Sequence, residues 1–412
     1  MGNIYSVKKY GEVTFDYIMI FFFLILPVDN KLVPPLLVVL IILSLIKLEK
    51  NILKVNWSKY KKYYLPFIVY FILCCLSLIW SEDFFRGLKQ LETRLLFLVA
   101  PLIFLINKLE PIKVYNWLKV YCYSVLVLTS FFFVYGLISY AQIYSPSIKY
   151  PYYAYLFVMS EILDGFGIHR SYFSISLLIA IMLIFGGGDQ LNKIKKYISI
   201  IFLSVMILLF QSKMNAIILV SIFILFWALS MRRLPVRLKI FSTVALLFFL
   251  TFSGLVAKKR FAPMFERIEN RDAFTGRNST EERYQYLEAS FALAKETPPL
   301  GYGMGDVNNL IKSKAEEIGL QRILEKKIYD PHNEFIKIYL GLGVVGLISI
   351  VILFYKLFYR AITNKNIFLF GITWAVFCSC FTESYLSRQG GIVPFLIFSC
   401  LLIQFNPKQK IP

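Results

Sequence analysis

The feature that most constrains this chain is a near-continuous succession of apolar runs, most of them close to the length of a bilayer crossing. A helix needs roughly 17 to 25 mainly apolar residues to cover about 30 Å of hydrocarbon. Runs of that kind, several of them short, centre on 15–28, 32–46, 64–80, 95–106, 115–140, 171–186, 197–211, 214–230, 238–256, 334–357, 366–382 and 390–405. Hydrophobic residues make up 58% of the 412 and charged residues only 17%. That balance excludes a soluble domain of this size. The predicted fold class is all-α: a polytopic membrane helix bundle of about 12 transmembrane helices, with a large helical periplasmic loop between helices 9 and 10.

Lys and Arg set the expected orientation, because cations accumulate in the short loops on the cytoplasmic side. With the N-terminus inside, 23 of them fall in inside segments, among them Lys8, Lys9, the cluster from Lys47 to Lys62, and Arg232 to Lys239. The short outside loops hold only eight: Lys31, Arg86, Lys89, Arg94, Lys149, Arg170, Lys213 and Arg388. Both termini are therefore expected in the cytoplasm. The expected organisation is 1–256 as transmembrane helices 1–9, 257–332 as a periplasmic loop domain, and 333–412 as helices 10–12. The net charge of +20 is accounted for by this topology signal and by contact with anionic headgroups, so no nucleic-acid partner is implied. Lys8 and Lys9 before an apolar run without a small-residue cleavage site read as an uncleaved signal anchor. All six cysteines fall in apolar runs, which suggests neither a disulfide framework nor a metal site.

The 257–332 island is charged where its flanks are not. Asn278-Ser279-Thr280-Glu281-Glu282-Arg283 reads as a capped helix start. Tyr284, Leu287, Phe291 and Ala294 then recur at helical spacing until Pro298-Pro299. Gly301-Tyr302-Gly303-Met304-Gly305 follows as a turn whose backbone can approach a ligand closely. A second amphipathic helix is expected from Asp306 to about Tyr329. A second outside loop, about 141–170, is rich in tyrosine and ends in Gly167-Ile168-His169-Arg170.

Two histidines occur in the chain. His332 sits in Asp330-Pro331-His332-Asn333-Glu334, at the mouth of the tenth run. The ordinary histidine pKa of about 6.5 suits acid–base chemistry at neutral pH. The bland reading is a boundary histidine ahead of a helix start; the functional one makes Asn333 and Glu334 supports of the imidazole. Arg170, Lys213, Arg388, Arg86 and Arg94 stand at span ends on the same expected side, and Arg283 in the first turn of the island's helix. Each alone reads as a snorkelling side chain; together they suit a multiply charged anion such as a diphosphate. Gly341, Gly343 and Gly346 in the next run would let that helix approach its neighbours closely. No Asp-x-Asp occurs, which weighs against metal-held nucleotide-sugar chemistry.

Three signatures resemble the O-antigen ligase and polymerase family of bacterial membrane glycosyltransferases. They are Arg283 with the following helix and Pro298-Pro299-Leu300-Gly301-Tyr302-Gly303; Pro331-His332-Asn333-Glu334-Phe335 with Gly341-Leu342-Gly343-Val344-Val345-Gly346-Leu347; and Ser212-Lys213 opening a span. The resemblance implies an inner-membrane enzyme that moves a glycan from a polyprenyl diphosphate to a sugar hydroxyl of a glycan or lipid A-core acceptor. It implies no cofactor and no metal. By position, His332 resembles the family's general base and Arg283 its diphosphate-holding loop arginine. Lys213 stands where the family usually has arginine, keeping the charge but losing the fork geometry. Arg388 and Arg170 are additions from charge placement. Two rivals stay open: a repeat-unit polymerase, whose deletion would leave single repeat units on the carrier, and a lipid-linked sugar flippase, which would hold charges at the midplane.

Overall fold

The computed structural model describes residues 2–28, 31–143, 151–186, 192–210, 212–231, 279–324 and 329–407. Among them every regular element is helical. The order is α1 (Gly2–Ile25), α2 (Val33–Ile46), α3 (Lys50–Leu76), α4 (Phe84–Arg94), α5 (Leu96–Ile106), α6 (Pro111–Ile143), α7 (Pro151–Gly165), α8 (Arg170–Gly186), α9 (Lys193–Leu209), α10 (Lys213–Met231), α11 (Ser279–Ala294), α12 (Val307–Glu317), α13 (Gln321–Leu324), α14 (Glu334–Thr363), α15 (Ile367–Ser379) and α16 (Gln389–Gln404).

Among the described residues, three helices are long and apolar enough to cross a membrane: Lys50–Ile79, Pro111–Gln142 and Glu334–Thr363. Shorter apolar helices lie at Val13–Ile25, Val33–Ile46, Arg170–Gly186, Lys213–Leu225, Ile367–Ser379 and Gln389–Gln404. The expected ninth span at 238–256 lies outside the described residues. A helix apolar all round belongs inside a bundle, and α8 and α16 behave so: Tyr172 to Ile184 and Gly391 to Ile403 are buried without interruption. The outer helices instead expose aliphatic side chains such as Ile42, Val127, Ile201 and Val351, the surface a bilayer would cover.

The tyrosine-rich stretch expected as a loop is in part helix α7, and Tyr155 packs edge-on against Tyr140 of α6 at 5.4 Å. Tyr144 and Tyr150 lie outside the described residues. The second helix of the island is also shorter than expected. It stops at Glu317 because Gly319 turns the chain at φ +77°, and α13 (Gln321–Leu324) follows.

A second, smaller core forms around α11–α13, where Tyr286, Ala289, Leu293, Val307, Ile311, Ala315, Ile323 and Tyr329 pack with Leu340 of α14. Helix α11 spans Ser279–Ala294 among the described residues, and its buried face is not the expected one. Tyr284 and Phe291 are exposed, while Tyr286, Ala289, Ser290 and Leu293 are buried. The reason is orientation: Arg283, Tyr286, Ser290 and Leu293 form one stripe at helical spacing, and that stripe faces α12 and α14.

Gly341 and Gly343 of α14 serve loop docking rather than helix–helix contact. Gly343 breaks the helix at φ +62°, ψ −158°. Into the break comes the Pro299–Gly303 turn: Tyr302 N–H donates to Leu340 O at 2.8 Å, Gly303 N–H to Gly341 O at 3.0 Å, and Val344 N–H to Pro299 O at 3.1 Å. A Cβ at Gly343 would stand 2.0 Å from Pro299 O, so both its φ and the close approach require glycine. The Asp306 carboxylate fastens the same turn to the start of α4, accepting Ser81 Oγ–H at 3.0 Å and the N–H groups of Glu82 and Asp83 at 2.9 and 2.7 Å.

Candidate active site

His332 lies between Pro331 and the N-cap of α14 in the left-handed region, at φ +49°. The Asp330 carboxylate closes a turn over Pro331 by accepting His332 N–H at 3.0 Å, a local bond that short acidic side chains favour. Asn333 then caps α14, its Oδ1 accepting Ile336 N–H at 3.0 Å and its amide donating to Phe381 O at 3.1 Å. Asn333 thus fixes the helix start directly after His332.

Two elements converge on the His332 ring. Glu383, in the connection between α15 and α16, places Oε2 3.3 Å from His332 Nδ1. Its other oxygen, Oε1, pairs with Arg283 Nη2 of α11. Tyr286, one turn beyond Arg283, sets its ring 5.6 Å from the imidazole. Glu383 is 9% exposed, His332 22% and Arg283 44%, so the carboxylate is shielded while both partners reach outward. Burial pushes the Glu383 carboxyl up, but the His332 hydrogen bond and the Arg283 charge outweigh it and hold the group below its ordinary pKa. Burial raises the Tyr286 phenol to about 12, keeping it neutral.

Beneath the ring, Asp330 pairs with Lys337 at 2.9 Å and accepts the Ser384 hydroxyl. Burial pushes Asp330 up, but the Lys337 charge and the Ser384 and Lys337 hydrogen bonds hold it well below the usual carboxylate range.

Glu334 does not support the imidazole as expected. It is fully buried and turned the other way, accepting Leu386 N–H at 3.0 Å and the Ser387 hydroxyl at 3.0 Å. Arg94 lies 3.9 Å from it, 1% exposed, and donates to Ser387 Oγ at 2.9 Å. His332 stands at φ +49° before the Asn333 N-cap and Glu334 is the first helical residue, so their side chains leave the α14 start in different directions. Arg94 is therefore an internal structural cation, not a boundary one.

The remaining expected cations stand on the neighbouring side. Arg170 opens α8 and Arg388 precedes α16, both half-buried. Between them is His169, whose ring lies 5.1 Å from Tyr172, which in turn meets Tyr385 at 5.4 Å. Burial lowers the His169 pKa, Glu383 pulls it back up, and Arg388 and Arg170 push it down again. The field of Glu383 therefore reaches both histidines, and Arg388 and Arg170 belong to its surroundings. Lys213 opens α10, exposed, next to the α8 start: Asn215 donates to Ser171 O at 2.8 Å and to Ser212 Oγ at 2.6 Å. Arg283 is thus joined to His332 through one carboxylate.

Glu383, Asp330, Lys337 and His169 complete the cluster and were not singled out from the sequence. Glu383 had a signal, as the only acidic residue between 366 and 405. Among the described residues no group of three or more His, Cys, Asp or Glu could hold a metal ion, and the cysteines are free thiols.

The fold and this cluster define a helical membrane protein with a histidine–carboxylate–arginine site where a long loop meets an apolar helix. Residues 198–351 match the family model described as O-antigen ligase. The matched segment contains Lys213, Arg283 and His332; Arg170, Glu383 and Arg388 lie beyond it. In general terms the family is one of membrane glycosyltransferases of O-antigen assembly. No curated protein matches the chain.

Proposed function

We propose that this protein transfers a glycan from a polyprenyl diphosphate carrier to a sugar hydroxyl of a glycan or lipid A-core acceptor, as an O-antigen ligase-like enzyme of lipopolysaccharide assembly. The observation that carries this reading is the shared carboxylate of Glu383, with His332 Nδ1 on one oxygen and Arg283 on the other. With Nδ1 turned to Glu383, Nε2 is the nitrogen that takes the acceptor proton. The acceptor oxygen forms a bond to the anomeric carbon, the anomeric carbon–oxygen bond to phosphate breaks, and the lipid diphosphate leaves with the electron pair. Diphosphate is already a good leaving group, so the reaction requires positioning, one base and cations rather than a metal or cofactor. Arg283, only partly engaged by Glu383, holds the diphosphate, with Lys213, Arg388 and Arg170 as further cationic partners.

In this reading the chain is a multi-pass protein of the bacterial inner membrane with about 12 spans. Both termini are cytoplasmic, residues 1–256 and 333–412 are transmembrane, and 257–332 form a periplasmic loop domain that carries the site with the start of α14. The prenyl tail and membrane lipids occupy the apolar surfaces of the bundle.

The test is incubation of the purified protein with a polyprenyl-diphosphate-linked glycan and separate acceptors, with and without a chelator. Glycosylated acceptor appearing together with free polyprenyl diphosphate, undiminished by chelator, is the expected result. Elongation of one lipid-linked glycan by another would identify a repeat-unit polymerase instead. No transfer to any acceptor, with glycan lipid moved across vesicles, would replace the reading by a flippase.

A further inference from the structure

Asp330 neither takes the proton nor holds the diphosphate in the reading above, yet it is the most heavily engaged carboxylate beneath the site. Oδ1 accepts His332 N–H at 3.0 Å and the Ser384 hydroxyl; Oδ2 pairs with Lys337 at 2.9 Å. Asp330, Lys337 and Ser384 are all buried. The first bond secures His332 in a left-handed conformation that side chains with a Cβ seldom adopt. The second reaches the residue after Glu383, the imidazole's own partner. Lys337 fixes the carboxylate from the first turn of α14.

One buried carboxylate thereby ties together the backbone that bears the imidazole, the turn that bears its acidic partner, and the helix that separates them. A buried ion pair kept for stability alone would need only Lys337, and such pairs are replaceable by apolar residues without loss. Here two of the three bonds instead end on the two segments that must keep register for His332 Nδ1 to face Glu383.

We propose that Asp330 is a positioning residue of the site, setting the His332–Glu383 register through the His332 N–H and Ser384 bonds. This rests on His332 being the base. Removal of the acceptor should let the imidazole drift while diphosphate binding persists, and a displacement near 1 Å can cost about 100-fold in rate.

The experiment measures kcat and donor KM for the full-length protein with a polyprenyl-diphosphate glycan. The variants are Asp330→Ala, Asp330→Ala with Lys337→Met, Asp330→Asn with Lys337→Met, and His332→Ala. Asp330→Ala should lower kcat about 100-fold with donor KM nearly unchanged. Should that variant fail to fold, the two double variants carry the test, since neither leaves a buried ammonium without a counter-charge. Only the Asn double variant, whose amide oxygen still accepts His332 N–H, should recover to within about 10-fold of the parent kcat. Equal kcat in the two double variants would overturn the proposal, because the carboxylate would then merely neutralise Lys337. A KM rise in proportion to the kcat loss would overturn it as well. His332→Ala separates the two levels: retained transfer there overturns the base assignment, whereas lost transfer with equal double variants overturns only the role of Asp330.

Discussion

Glu334 and Glu383 are both shielded carboxylates beside an arginine, 49 residues apart in sequence and on opposite sides of the α14 start, yet their surroundings differ in one respect. Every partner of Glu334 is internal: Leu386 N–H, Ser387 Oγ–H and Arg94, itself 1% exposed. Glu383 is held by His332 and Arg283, both of which reach outward. A saturated, enclosed ion pair can only hold elements together. A shielded carboxylate whose partners keep access to the outside can orient them toward something else. The same chemistry thus gives α4 its attachment to α14 on one face and a reactive group on the other.

The largest effect that would sharpen this contrast is loss of the base. His332→Ala should lower transfer by about 10²- to 10⁴-fold, the range of general-base contributions, without preventing membrane insertion, because the ring is partly exposed and fills no core. Glycan transfer by the purified variant checks this. Glu383→Gln should cost about 100-fold in kcat per folded molecule through misorientation of the ring. Glu334 should give the opposite pattern. Arg94→Met strands a buried carboxylate and should cost about 3–5 kcal/mol of stability, with kcat per folded molecule little changed. Equal catalytic losses at Glu334 and Glu383 would erase the distinction between the two sides.

Acid should act on the site side in a defined direction. Asp330 and Glu383 have folded-state pKa values below their ordinary ones. Their contribution to stability is therefore complete above the unfolded carboxylate value of about 4 and is lost as pH falls below it. Thermal midpoints measured at pH 7, 4 and 3 should fall over the lower interval, and less so in the Asp330→Asn, Lys337→Met protein. The smallest effect concerns Lys213. Replacement by Arg should be nearly neutral and replacement by Glu should slow transfer, since the position supplies charge near the α8 start; equal rates would remove it from the diphosphate site.

The sequence carried the parts of this site that lie within one segment. His332 was visible because an ionisable residue at the mouth of an apolar run stands out against it, and Arg283 because it follows a helix start in a charged island. What depended on two distant segments meeting was not visible. Glu334 lies two positions after His332 and looked like its support, but its carboxylate is turned to Leu386 and Ser387, and the α15–α16 connection brings in Glu383 from 51 residues away. Arg94 looked like a boundary cation because nothing near it in sequence signals the buried Glu334 that receives it. Gly341 and Gly343 were legible as close-approach positions. Which partner approaches, a loop rather than a helix, follows from Asp306 and the α4 start holding the Pro299–Gly303 turn against the α14 break.

The most direct test of the central idea, that Glu383 acts through His332, is a double-mutant cycle on the rate of single-turnover glycan transfer. If the two form one unit, Glu383→Gln slows the parent about 100-fold but has almost no further effect in the His332→Ala background. Fully additive losses would show that Glu383 serves the protein by some route other than the imidazole, and would contradict the account.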